Sequence, residues 1–202
     1  VTYFASAGYQ YQESYLRSNA INYEKFNLRS NISANVTDNL KFDLSISGMM
    51  DERESSPANS SAIIYEGWLS SPLEKVWYDE EKRMYASRLN PAGYNPAALM
   101  DTELTGHCTY QSKWFQSNAS LTWDIPWIKG LSVSGMYSYD YITNNDDEYR
   151  KAYNLYDASG NAIIKSAQTA APNKISRYFY AKQNNLWQAR LNYDNSFGKN
   201  NI

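Results

Sequence analysis

One cysteine and one histidine occur in 202 residues, and they are neighbours, His107-Cys108. Cys108 therefore has no partner for an internal disulfide. The pair has no second cluster with which to complete a metal site or a nucleophile–base set. The nine glycines never form a phosphate-cradling loop, and adjacent carboxylates such as Glu80-Glu81 are not the pair across a cleft that glycoside hydrolysis needs. Charge of one sign is lacking too: 19 Lys and Arg against 21 Asp and Glu leave a net charge of −2, without the polybasic signature of a nucleic-acid binder. No apolar run approaches the roughly 18–20 residues of a membrane helix. That excludes helical spans but not β-spans, whose alternation dilutes hydropathy. The expectation is a protein that is not an enzyme and takes no cofactor, metal or nucleic acid.

What is abundant is aromatic: 19 Tyr and 6 Trp against a polar average (mean hydropathy −0.67). Such a load suits sugar-facing or membrane-interface surfaces, and many secreted β-proteins share it. The clearest pattern runs from Tyr23 to Gly48. Phe26, Leu28, Ile32, Ala34 and Val36 share one parity and Lys25, Asn27, Arg29, Asn31, Ser33 and Asn35 the other; then Leu40, Phe42, Leu44 and Ile46 oppose Lys41, Asp43, Ser45 and Ser47. A period of two is the strand period. A three-residue loop at Thr37-Asp38-Asn39 pairs Ala34 with Phe42 and Ile32 with Leu44 and keeps the apolar residues on one face; a strict two-residue loop would oppose Val36 and Lys41. Asn39 is expected in the left-handed conformation.

The same alternation predicts strands over about 1–12, 23–37, 40–50, 110–125, 131–142 and 175–194. In the fourth, Phe115, Ala119, Leu121, Trp123 and Ile125 share a face; in the last, Phe179, Ala181, Trp187, Ala189, Leu191 and Tyr193 do. Pairing Ile125 with Leu131 across the Pro126–Gly130 turn joins the apolar faces of neighbouring strands. Segments 51–107 and 143–174 read as long loops. The first holds a short helix capped at Ser60-Ser61, carrying Ile63, Ile64 and Trp68 and ending before Pro72. The second holds a small hairpin around Asp157-Ala158-Ser159-Gly160-Asn161. Connections near Asp38, Lys129 and Gly198 are short; those near Arg17 and across 51–107 and 143–174 are longer. Short–long alternation is the pattern of an antiparallel, up-and-down transmembrane β-barrel with long extracellular loops. About eight strands is the minimum for closure, so an all-β wall segment of about six strands with two open edges is expected. Val1 begins in mid-pattern without Met, and a longer parent protein is expected.

Tyr3-Phe4-Ala5-Ser6-Ala7-Gly8-Tyr9, Tyr23-Glu24-Lys25-Phe26-Asn27-Leu28-Arg29-Ser30-Asn31 and Thr37-Asp38-Asn39-Leu40-Lys41 resemble the start of the barrel in SusC/RagA-type TonB-dependent transporters of Bacteroidetes, and Asn90-Pro91 and Asn184-Asn185-Leu186 are similar too. The resemblance covers most of the chain and is most specific in its first fifty residues. It implies a roughly 22-stranded outer-membrane barrel with an internal plug, energised by the TonB complex and paired with a SusD-like lipoprotein that captures glycans or peptides at the cell surface. The plug and TonB box lie outside this sequence, so no residue here is assigned to energy coupling.

Candidate surfaces follow. Leu28, Ile32, Phe42, Leu44 and Leu121 are expected to meet outer-membrane lipid rather than the core of a soluble sandwich, because the strands are long and the loops unequal. Lys25, Asn27, Arg29, Asn31, Lys41, Asp43, Gln116, Asn118, Arg190 and Asn192 are expected to line the lumen, mostly as solvated wall. Trp68, Trp77, Tyr78, Tyr85 and Tyr94 in the first long loop are candidate substrate or partner contacts, since an aromatic ring can stack on a sugar face; loop packing is the competing explanation. Asp146, Asp147 and Glu148 lack the spacing of a calcium loop and read as a solvated loop tip. The expected function is part of a nutrient importer. The alternatives are a soluble carbohydrate-binding β-domain and a passive porin-like barrel.

Overall fold

The computed structural model describes residues 1–16, 21–90, 93–166, 172–197 and 200–201. In chain order they form β1 (Thr2–Glu13), β2 (Asn22–Thr37), β3 (Leu40–Ser55), α1 (Ser60–Leu69), β4 (Trp77–Asp79), β5 (Met84–Tyr85), α2 (Pro96–Met100), α3 (Thr102–Thr105), β6 (Gly106–Asp124), β7 (Leu131–Arg150), β8 (Ala152–Tyr156), β9 (Ala162–Ser166), β10 (Lys174–Tyr193), β11 (Ser196–Phe197) and β12 (Asn200–Asn201). One antiparallel six-stranded sheet, in the order β1-β2-β3-β6-β7-β10, dominates; β4-β5, β8-β9 and β11-β12 are separate two-stranded ribbons. Neighbours in space are thus neighbours in sequence once the cap elements are set aside. The connection near Arg17, the turn at Gly198 and Pro91 of the Asn90-Pro91 pair lie outside the described residues.

The β2–β3 hairpin pairs Ile32 with Leu44 and Ala34 with Phe42, as the faces require. Its closure differs from expectation. Thr37 pairs with Leu40 across the two-residue loop Asp38-Asn39, and the register shifts between Asn35 and Thr37. Val36 is therefore a bulged residue, and that extra residue restores Asn35 opposite Lys41 and prevents the mixing of faces. Asn39 does not take the left-handed conformation; among the described residues the non-glycine with positive φ is Arg83, at 51°. At the next turn the Ile125 N–H donates to the Leu131 carbonyl at 2.9 Å, so that pairing stands.

Three strands are longer than the periodicity suggests. β3 continues to Ser55, β6 starts at Gly106 and β7 runs to Arg150. Asp146, Asp147 and Glu148 accordingly sit in a ladder opposite Tyr110, Thr109 and Cys108, not at a loop tip. Alternation stops where both faces of the sheet become polar, but backbone pairing needs no apolar side chain and carries on. The long connections shrink to 56–105 and 151–173.

Every member of the buried apolar cluster lies beyond the sheet, in these connections: Ala58, Ile63, Tyr85, Ala98, Leu99, Tyr153 and Leu155. The two loops pack on each other as one cap. Helix α1 forms as expected, but Asn59 is its cap, its Oδ1 accepting the Ala62 N–H at 2.7 Å; Asn is at least as good a cap as Ser. Asn95 and Asp101 cap α2 and α3 in the same way. The β8–β9 hairpin turns at Gly160, φ 84°. A parallel bridge joins Ala86 to Tyr156. Arg88 donates to Glu66 at 2.8 Å and to Glu74 at 3.1 Å, all three side chains being nearly buried. The two loops are joined by the Lys151 N–H on the Thr105 carbonyl at 2.8 Å, and the cap is tied to the sheet by Arg150 of β7 on the Pro57 carbonyl at 3.3 Å.

Candidate functional site

The register carries one side identity across the whole sheet. Tyr3, Ile32, Leu44, Ala119, Tyr137 and Trp187 stand in one row, and Ala34, Phe42, Leu121, Gly135 and Ala189 in another two residues nearer the short turns. Both rows are on the apolar side. On the opposite side Asn31, Ser45, Asn118 and Ser138 align, as do Arg29, Ser47, Gln116, Asp140 and Asn184. Six separate alternations merge into one apolar and one polar face.

The apolar face is a belt with a slanted edge. Going toward the cap, the apolar run gives way to polar or charged residues after Tyr11 on β1, Phe26 on β2, Met50 on β3, Phe115 on β6 and Tyr141 on β7, the next on that face being Glu13, Glu24, Glu52, Lys113 and Thr143; on β10 no such edge is marked, since past Asn185 and Gln183 the same face carries Ala181, Phe179 and Ile175. Tyr11 lies opposite Glu24, Phe26 opposite Met50, Met50 opposite Lys113, and Phe115 opposite Tyr141. From β1 to β7 the edge thus steps toward the turns by four residues over four strand-to-strand intervals, roughly one residue per strand. At ~3.3 Å per residue and ~4.8 Å between strands this is a slope of roughly 35°, within the tilt of membrane-barrel strands, about 35–45°. From Leu40 to Met50 the belt is about 33 Å long along β3, which at that slope is a height of roughly 27 Å, close to the ~25 Å apolar band of such barrels. Aromatics mark both margins: Trp123 and Trp127 in edge contact at 5.6 Å by the β6–β7 turn, and Tyr11, Phe26, Phe115 and Tyr141 toward the cap. Leu28 and Leu121 are 50% and 45% exposed, so the face is uncovered.

The polar-face candidates form no single site. Asp43 accepts from Ser33 Oγ at 2.6 Å and pairs with Lys41 at 3.2 Å, and Asn31 accepts from Ser45 Oγ at 2.7 Å. Asn27 leans over Gly8, where a Cβ would come within 2.6 Å of its Oδ1. Lys25, Arg29 and Arg190 make no ion pair among the described residues, and Arg190 on β10 is four strands from Lys25 and Arg29 on β2. This is a solvated, hydrogen-bonded wall.

The loop aromatics separate into two groups. Tyr85, 6% exposed, belongs to the cap core and donates to Asp101 Oδ2 at 2.8 Å; Trp77 stacks on it at 4.0 Å. Burial, followed by the bond to Asp101, pushes the Tyr85 hydroxyl up to about 12. Burial acts to raise the Asp101 carboxyl, but hydrogen bonds from Tyr85, the Leu104 N–H and Arg83 hold it below the usual range. Tyr85 is therefore placed by packing, within the cap core. Lys165 Nζ sits 5.1 Å from the Tyr94 ring centroid. Trp68, 84% exposed on the outer side of α1, and Tyr78 remain open to solvent.

Tyr78 stands in a cleft. Its ring lies 6.0 Å from that of Tyr156 at 24°, and between segment 73–89 and the β8–β9 hairpin is a cavity of about 270 Å³. No protein-family model and no curated protein matches the chain. The cleft is thus described by its own chemistry. Its other members, Lys75, Ser87, Leu89 and Tyr156, carry no sequence signal: Tyr78 and Tyr156 are far apart in the chain and meet only because the two loops share a core. His107 and Cys108 fall within β6, Cys108 buried, and no group of three or more metal-ligating side chains is present among the described residues.

Proposed function

We propose that this chain is part of the wall of an outer-membrane β-barrel of the SusC-like, TonB-dependent kind, which imports glycans or other oligomeric nutrients together with a surface lipoprotein. The observation that carries the reading is the slanted apolar belt with aromatic margins. A slope within the range of barrel-strand tilt, and a height close to that of the apolar band, have no counterpart in the soluble sandwich, where a second sheet covers the apolar face. The hydrogen-bonded polar face supplies a wet passage, and the cap supplies a rigid surface above it. Two open edges, β1 and β10, are where further strands pair. The resemblance of the first fifty residues to the SusC barrel start supports the family assignment, and with it the TonB complex and a SusD-like partner.

The parent protein, expressed in its own cell, is expected in the outer-membrane fraction as a heat-modifiable band. Disrupting its gene is expected to abolish growth on one oligomeric nutrient while sparing growth on the monomer. A cooperative, monomeric unfolding transition of the chain in detergent-free buffer overturns the membrane reading. Uptake that persists when TonB is removed favours the passive porin.

A further inference from the structure

We infer that the cleft between segment 73–89 and the β8–β9 hairpin is a saccharide subsite that takes a pyranose ring against Tyr78 and Tyr156. The inference rests on the importer reading only for placing the cleft at the cell surface.

The backbone around the cleft is already engaged. The Ala86 N–H donates to the Val76 carbonyl at 3.0 Å, Ser87 N–H to Tyr156 at 2.7 Å and Asp157 N–H to Asn161 at 3.0 Å; the Leu89 N–H donates to Glu74 Oε1 at 3.0 Å, and the Ala86 carbonyl accepts from Asn95 at 2.9 Å. An extended peptide is held chiefly by main-chain bonds along an unpaired edge. No such edge faces this cleft at those positions. The carboxylates are engaged too: Glu74 Oε2 accepts from Arg88 and from the Ser71 N–H, each at 3.1 Å, and Asp157 accepts from the Ser159 and Asn161 N–H groups at 2.8 Å within its turn.

What remains for a ligand is side-chain chemistry of two kinds. The Tyr78 and Tyr156 rings offer apolar faces, and the Ser87 hydroxyl and Lys75 ammonium have no hydrogen-bond or ion-pair partner among the described residues. A flat ligand with one apolar C–H face and a rim of hydroxyls matches both, and a pyranose is that ligand. The ring pair is positioned in advance. Gly160, at φ 84°, lets the Tyr78 hydroxyl rest on the hairpin turn, where a Cβ would lie 2.6 Å from it.

The test uses the complete parent protein in detergent or lipid discs, probed on an array of plant and animal oligosaccharides and on an array of peptides, with affinities then measured for the strongest saccharide. Saccharide binding is expected, weakened about tenfold by Tyr78→Ala and by Tyr156→Ala and retained by Tyr78→Phe and Tyr156→Phe. Ser87→Ala removes a hydroxyl with no internal partner and keeps the test decisive if an alanine variant disturbs the cap; it is expected to weaken binding about threefold to tenfold. Peptide binding without saccharide binding, no saccharide binding at all, or saccharide binding indifferent to Ser87→Ala and to both ring removals overturns the subsite. A membrane-inserted protein that fails this test leaves the importer standing, whereas a protein that never inserts defeats the importer without bearing on binding by the cleft.

Discussion

Leu44 and Ser45 are adjacent in β3, yet Leu44 pairs with Ile32 and Ala119 on the apolar face and Ser45 with Asn31 and Asn118 on the polar one. In the proposed membrane barrel, Leu44→Arg puts a guanidinium near the middle of the belt and is expected to cost about 2–4 kcal/mol of stability, while Ser45→Arg meets a wet face and costs far less. Unfolding of the lipid-embedded protein in denaturant measures both, and equal effects would refute the facing assignment. Gly160 makes a second prediction. Gly160→Ala forces a side chain into the left-handed region and onto the Tyr78 hydroxyl, so a loss of about 1–2 kcal/mol in the hairpin is expected, read as faster amide exchange in β8 and β9. The facing of Leu44 is legible in the sequence because one alternation suffices to assign it. The role of Gly160 is not, because its neighbour Tyr78 comes from a distant segment.

At the scale of elements, the cap is held by ionic contacts as well as by its core. Arg88→Ala leaves the nearly buried Glu66 and Glu74 carboxylates without their cation, and a loss of about 3–5 kcal/mol in cap stability is expected. Amide exchange in α1 should report it while the protection of β2, β3 and β6 stays unchanged. Acid should act on the same element. The Glu74 carboxyl, raised by burial but lowered further by the Leu89 and Ser71 N–H groups and Arg88, lies below its usual range, as does Asp101. A depressed carboxylate stabilises the folded state fully above its unfolded value, about 4, and ceases to as pH falls through the lower folded value. Faster amide exchange in α1 and α3 is expected to report loosening of the cap below about pH 4, and exchange in α1 and α3 unchanged between about pH 6 and pH 3 would show that these carboxylates do not hold the cap. The helix at Ile63 and the hairpin at Asp157 are legible because caps and turns are local chemistry. Residues 106–109 of β6 and 143–150 of β7 are not, since with both faces polar no alternation distinguishes strand from loop.

For the whole molecule, a belt exposed on one side and open edges at β1 and β10 make the isolated chain a poor soluble protein. Aggregation in plain buffer, relieved by detergent, is expected in light scattering; a monodisperse monomer without detergent contradicts it. By itself the sequence determined the antiparallel order of the six strands, which side of each is apolar and where the short turns near Asp38 and Lys129 fall, because parity and turn residues act within a few positions of one another. Only the tertiary structure decided three things: the bulge at Val36, the slant of the belt and the cap in which Tyr85 is buried while Tyr78 meets Tyr156. Each depends on register or packing between segments far apart in the chain, and no local pattern encodes the offset between one strand and the next.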